Sequence, residues 1–159
     1  MSSIDTNNYR IRPLRLAVDI PDLLQLMGAI KEADQLEEEI SESALRAEME
    51  WHGNDPEQDR WIVQSVGARE MFLGHAWIFP QTKYRSIFHA AVHPDFRRQG
   101  LGSALLGTAV SRASTTGARQ VVSVSEKLNT PAERFLLHHG FIAAGQNRFM
   151  IASADVPLP

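Results

Sequence analysis

The sequence predicts an α+β fold built on one mixed sheet, and three observations carry that expectation. Two β-rich segments, 61–66 and 71–79, are joined by a tight polar turn around Gly67, the pattern of an antiparallel hairpin. The stretch 86–125 reads strand, helix, strand, the pattern of a crossover between strands. An apolar fraction of 43% in 159 residues suits one domain with a core of its own.

Taken in order, residues 1–8 are polar and are expected to be a disordered N-terminal tail; they show neither the basic nor the apolar stretch of a signal peptide. The domain is expected over 9–153. Residues 9–13 alternate around Ile11 and read as an edge strand. Asp19-Ile20-Pro21-Asp22 is an acidic cap with proline in the first turn, and Leu23, Leu24, Met27 and Ile30 follow at helical spacing. Glu37-Glu38-Glu39 reads as a solvated loop. Ser41 opens a second helix that runs through Leu45 and Met49 to about Trp51, and His52-Gly53-Asn54-Asp55-Pro56 stops it.

In the hairpin, Gly74 interrupts its strand and marks a bulge or a close backbone approach. After a turn over 80–85, the short apolar strand 86–92 is expected to be central. Residues 100–116 form a helix with Leu101, Ala104, Leu105, Thr108 and Ala109 on one face. Residues 120–125 are a β-branched strand, 130–139 a helix closed by Gly140, and 142–144 with 148–153 a last strand pair. Residues 154–159 are proline-rich and read as a tail or linker.

Composition excludes several classes. There is no cysteine, hence no disulfide, no zinc–thiolate site and no cysteine nucleophile, which suits a cytoplasmic protein. A net charge of -3 gives no global attraction to nucleic acid or to an anionic membrane. No apolar run approaches the ~20 residues of a membrane span. The histidines follow no metal-ligand spacing, so no metal site is expected.

The chemistry concentrates in Ala91-Val92-His93-Pro94-Asp95-Phe96-Arg97-Arg98-Gln99-Gly100-Leu101-Gly102-Ser103. A strand runs into a turn, and a basic, glycine-containing loop then opens a helix. Helix N-termini leave N–H groups unpaired and carry partial positive charge, and glycines let a phosphate approach the backbone. By itself the loop also reads as an ordinary helix start with two solvated arginines. It is not a Walker loop, because no Gly-Lys-Ser/Thr follows, and it lacks the third glycine of the dinucleotide fingerprint.

Together with Asn129-x-x-Ala132-x-x-Phe135-Leu136-x-x-x-Gly140-Phe141, this loop resembles the two signature elements of the GNAT superfamily of N-acetyltransferases. The cofactor signature Arg/Gln-x-x-Gly-x-Gly/Ala is matched by Arg97, Gly100 and Gly102, with Val92 and Pro94 upstream. The resemblance covers roughly 9–153. It implies a mixed, mostly antiparallel sheet flanked by about four helices, and acetyl-coenzyme A as co-substrate. It further implies that backbone groups at Ala91 and Val92 pair with the pantetheine arm. The N–H groups from Arg97 through Arg98, Gln99, Gly100, Leu101 and Gly102 to Ser103 would hold the pyrophosphate, and Asn129 would contact the arm. Asn129 reads equally as a cap or turn residue, and Phe135 and Phe141 as core.

The sequence departs from the family where the chemistry is done. Leu136 stands where many members place a tyrosine that protonates the leaving thiolate. The resemblance puts the base positions of the fourth strand at Ser86, Phe88 and Ala90, none of which is a base, and Val124 stands where relatives carry glutamate. Alternation puts His89 on the opposite face, with His75 across the hairpin from it. His75, His89, His93, His138 and His139 each read first as structural or surface residues. Glu126 and His138 are the weak candidates for catalysis.

The expected activity is transfer of acetyl to an amine of a small molecule or peptide. The alternative is an acetyl-coenzyme A-binding domain without catalysis, a sensor or one half of a tandem protein resembling mycothiol synthase. The acceptor and the oligomeric state stay open, a homodimer being the assembly carried forward.

Overall fold

Five strands form one sheet in chain order: β1 Tyr9–Pro13, β2 Arg60–Ser65, β3 Phe72–Thr82, β4 Arg85–Val92 and β5 Gln120–Val122. The first three pairings are antiparallel, and β5 joins β4 in parallel after the helical crossover. The computed structural model describes residues 8–125 and 130–145. They fall into two compact units, the first ending at Val124 and the second beginning at Ser125.

In the first unit, helices cover both faces of the sheet. The helices α1 Ile20–Asp34 and α2 Glu42–Met49 bury Leu23, Leu26, Ile30, Leu45 and Met49 against Ile62 and Phe72. Ile62, His75 and Ala91 are successive partners across the strands and so share that face. The short helix α3 Pro56–Asp59 follows, capped by Asp55, which accepts from Glu57 N and Gln58 N. Helix α4 Leu101–Thr115 buries Leu101, Leu105, Leu106, Ala109 and Ala113. It packs on the other face, where Val63, Gly74 and Val92 are successive partners. A Cβ added to Gly74 would stand 3.1 Å from Ala91 O and 3.5 Å from Leu105 Cδ1, so both the strand and α4 approach closely there. The register also shifts beside it, between Val63 and Gln64, giving the bulge expected at this glycine.

Two local expectations need correction. The turn expected over 80–85 shrinks to Lys83–Tyr84, because β3 runs on to Thr82 and absorbs Pro80 in an irregular step. Asp19 does precede α1, but its side chain caps nothing. Its carboxylate accepts from Arg12 Nη1 at 2.6 Å, Arg12 Nη2 at 2.9 Å and Arg15 N at 2.7 Å, tying β1 to the helix start.

Burial works to raise the Asp19 pKa, but the hydrogen bonds and charges of Arg12 and Arg15 outweigh it, and the net shift is downward. A carboxylate held low in the folded state stabilises above its unfolded pKa of about 4, and that contribution is lost as pH falls through the lower folded value. Asp19→Asn is therefore expected to cost about 3 kcal/mol at neutral pH by leaving Arg12 unpaired. The gap to wild type should narrow in acid. Urea unfolding at pH 7 and pH 3 reads both effects.

The second unit contains α5 Pro131–His138. Thr130, read from the sequence as the first helical residue, is instead the cap and accepts from Glu133 N at 3.1 Å, while Gly140 at φ +83° closes the helix as the sequence indicates. The strand expected at 142–144 has no ladder partner among the described residues, and Ile142 there is 85% exposed. Its expected mate at 148–153 lies outside the described residues, as do the segments 1–7 and 154–159.

Candidate active site

The parallel ladder is only three pairs long: Arg85 with Gln120, Ser86 with Val121, Ile87 with Val122. On its other side β4 stays paired with β3 as far as Val92. The edge of β4 from Phe88 to Val92 is thus clear of the β5 ladder. His93 N donates to Leu73 O at 2.8 Å, which fixes the parity of this antiparallel pair. The peptide groups of His89, Ala91 and His93 point to β3, while those of Phe88, Ala90 and Val92 point to the β5 side. Ala91 and Val92 therefore differ: Val92 faces the clear edge, and the Ala91 amide belongs to the ladder opposite His75.

At the end of that edge the chain makes a 3-10 turn at Pro94–Phe96, capped by His93 Nδ1, which accepts from Asp95 N at 3.3 Å. His93 thereby has a structural task. Arg98 at φ +61° and Gly100 at φ +84° then turn the backbone into the start of α4. A non-glycine residue in the left-handed region is uncommon and costs of order 1 kcal/mol, so the tertiary structure holds this loop in shape. Gly100 brings no capping side chain, and the first helical bond is Ala104 N to Gly100 O at 3.0 Å. The N–H groups of Leu101 and Gly102 consequently lie ahead of the helical ladder, where they suit an anion. Gln99 donates to Asp95 O at 3.3 Å, while its buried Oε1 has no hydrogen-bond partner among the described residues.

The two arginines part company. Arg97 N–H turns back to Pro94 O, its Nε donates to Val92 O at 3.1 Å, and its fork grips Asp34 of α1 at 2.7 and 2.8 Å. Arg97 thus straps the loop to β4 and to α1. Arg98 is exposed and makes no ion pair among the described residues. If an anion binds here, its affinity should fall with ionic strength, and Arg98→Ala should flatten that slope while Arg97→Ala leaves it. Coenzyme A titrations at low and high salt measure this.

The faces of β4 also reverse the sequence expectation. Ser86 and Phe88 are buried, and they share the α4 face with Ala90 and Val92. The other face carries Ile87, His89 and Ala91, and His89 is exposed. The His89 ring stacks on Trp77 at 5.4 Å and 23°, and the Arg60 guanidinium lies 5.6 Å from the Trp77 ring centre. Buried Arg60 in turn donates through Nη2 to Glu48 Oε1 of α2. His75 lies 5.7 Å from His89, ring to ring. Burial first, then the neighbouring His89 and Arg60, push His75 down to about 3, so it is neutral at physiological pH.

Sequence reasoning missed the row Glu48–Arg60–Trp77–His89. Its one sequence signal was the hairpin register, which pairs Trp77 with His89 once the turn is placed at Lys83–Tyr84. Of the other candidates, Glu126 and Asn129 lie outside the described residues. His138 is exposed at the end of α5, 5.3 Å from the His139 ring, and the Leu136 carbonyl accepts from His139 N and Phe141 N. Among the described residues no helix is long and apolar enough to cross a membrane, and no group of three metal-ligating side chains comes together.

Comparison with known proteins adds three solved structures. A GCN5-related N-acetyltransferase from Sphaerobacter thermophilus matches with a TM-score of 0.70 at 24% identity over 83% of this chain, which spans 42% of that chain. An aminoglycoside acetyltransferase from an uncultured soil metagenomic sample, solved with sisomicin, matches with a TM-score of 0.66 at 15% identity, covering 94% of this chain and 98% of that one. An aminoglycoside N-acetyltransferase in complex with CoA matches with a TM-score of 0.68 at 15% identity, covering 91% and 94%. At these identities the likeness concerns the fold. Among curated proteins, none matches this chain. The model of the acetyltransferase (GNAT) family matches residues 23–141, most of the sequence and both signature elements, and the chain belongs to that family.

Proposed function

We propose that this chain transfers an acetyl group from acetyl-coenzyme A to the amine of a small molecule or peptide. The observation that carries the reading is the clear β4 edge from Phe88 to Val92, which ends at the uncapped start of α4. The Val92 N–H and the Ala90 peptide group would bond the pantetheine arm as an added strand does, the Val92 carbonyl already accepting from Arg97 Nε. The pyrophosphate would meet the N–H groups of Leu101 and Gly102, with Arg98 beside it. Ser86 and Phe88 are buried on the α4 face, whereas His89 is exposed on the face that α1 and α2 share, so the amine would approach the thioester beside His89.

His89 is then the side chain placed to take the proton from the amine. The nitrogen bonds to the acetyl carbon, the C–S bond breaks, the nitrogen's proton passes to His89, and the thiolate leaves to be protonated. An amine panel assayed for free coenzyme A thiol tests the reading; turnover is expected, and tight cofactor binding with no turnover on any amine would overturn it.

A second reading is a cofactor-binding half without catalysis. Leu136 in place of the thiolate's usual acid supports it, as does likeness to a chain of which this one spans 42%. General acids contribute ~10²–10⁴-fold. Under the catalytic reading Leu136→Tyr should raise the rate at saturating amine with acetyl-coenzyme A affinity unchanged; a silent mutant of a silent protein favours the second.

A further inference from the structure

The loop between β4 and α4 is fastened from another helix. Among the described residues, the local hydrogen bonds of 94–99 stay within 93–99: Asp95 N to His93 Nδ1, Phe96 N to His93 O, Arg97 N to Pro94 O and Gln99 Nε2 to Asp95 O. The Arg97 side chain is what reaches beyond them. Its Nε donates to Val92 O at 3.1 Å, and Nη1 and Nη2 donate to the two oxygens of Asp34 at 2.7 and 2.8 Å. A two-pronged pair of this kind fixes direction as well as distance. It stands directly before Arg98, whose φ of +61° is an uncommon conformation for a side-chain-bearing residue.

Asp34 is at odds with its own helix. It is the last residue of α1, where the partial negative charge of the helix end disfavours a carboxylate. The helix closes tightly there, with Gln35 at φ +52° and the N–H groups of Gln35 and Leu36 both donating to Lys31 O. Ile30 is buried in the core, and Asp34 follows it at i+4 on the same side of α1. The core thus holds the carboxylate in place, and Arg97 offsets its cost at the helix end.

We infer that Asp34 is a positioning residue for coenzyme A. Through Arg97 it holds the loop before α4 in the form that receives the pyrophosphate. It also keeps the Val92 carbonyl occupied, so that Val92 offers its N–H alone to the pantetheine arm. Asp34 itself touches no ligand. This inference rests on the cofactor-site reading above and does not depend on whether acetyl transfer follows.

The sign of the effect separates this role from others. Asp34 and the pyrophosphate are both negative, and Asp34 occupies an arginine fork that would otherwise be free to meet the ligand. On charge alone, removing Asp34 should tighten coenzyme A binding. A pair that only held the fold together would leave the affinity of the folded protein unchanged. Positioning requires that binding weaken, because a loop that spends less time in the receiving form lowers the apparent affinity in proportion.

The test is calorimetric titration with coenzyme A at a temperature where circular dichroism shows each variant folded. Asp34→Asn keeps the shape but sets an amide against the guanidinium, and is expected to weaken binding about tenfold. Asp34→Glu restores the carboxylate and should bind within about threefold of wild type. Arg97→Lys keeps the charge but loses the fork, and should weaken binding by about the same factor as Asp34→Asn. The double variant should be weaker than the worse single one by no more than about twofold, since both changes break one contact. Wild-type or tighter binding in Asp34→Asn would overturn the inference, as would losses that multiply in the double variant. Should Asp34→Asn not fold, Arg97→Lys decides by itself, and wild-type affinity there overturns the inference. No coenzyme A binding by the wild-type protein would instead defeat the cofactor-site reading, and this inference with it.

Discussion

Replacing His89 with alanine is expected to lower acetyl transfer at saturating substrates by 10²- to 10⁴-fold, the usual range for loss of a general base. His89 is the exposed imidazole on the face of β4 left uncovered by α4, and its neighbours fix its orientation. Trp77 stacks on one side of the ring, and Arg60, anchored by Glu48, holds Trp77 from behind. Acetyl-coenzyme A affinity should stay within a factor of a few, because the His89 peptide group faces β3 rather than the β5 side. His89→Gln keeps bulk and hydrogen bonding but takes no proton, and should be as slow as alanine. A rate within threefold of wild type in both variants would remove His89 from the mechanism.

The other large effect is expected at Gly102. Valine there would stand between an incoming phosphate and the N–H groups at the start of α4. Losing charge-assisted hydrogen bonds of this kind costs about 2 kcal/mol, or roughly 30-fold in affinity for coenzyme A. Gly107→Ala supplies the contrast. It lies on the same helix with no atom within 4 Å of the added Cβ, so it should stabilise α4 slightly and leave binding unchanged. Unaltered binding in a folded Gly102→Val protein would move the pyrophosphate away from this helix.

What the sequence revealed was local. Ser41 acts as a helix cap, Gly140 as a terminator and Gly74 as the site of a bulge, because each works on backbone within a few residues of itself. The glycine loop before α4 was legible for the same reason. What stayed hidden depended on long-range partners. Asp34 lies 63 residues from Arg97, and nothing near either residue announces the pair. Asp19 looked like a cap, yet Arg12 on the neighbouring strand claims its carboxylate. Alternation showed that His89 and Phe88 point opposite ways, but which face α4 would cover is decided by packing, through Leu105 against Gly74. The strand expected over 120–125 stops at Val122, so the length of the clear β4 edge could not be read from propensity.

Amide hydrogen exchange with and without coenzyme A tests the central claim most directly. Binding along the clear β4 edge and onto α4 should slow exchange at Val92, Leu101 and Gly102, while Ala91, already directed at β3, should hardly change. Slowing confined to the other end of β4, where Arg85 and Arg119 line a cavity with Tyr84, with no change at Val92 or Gly102, would contradict it.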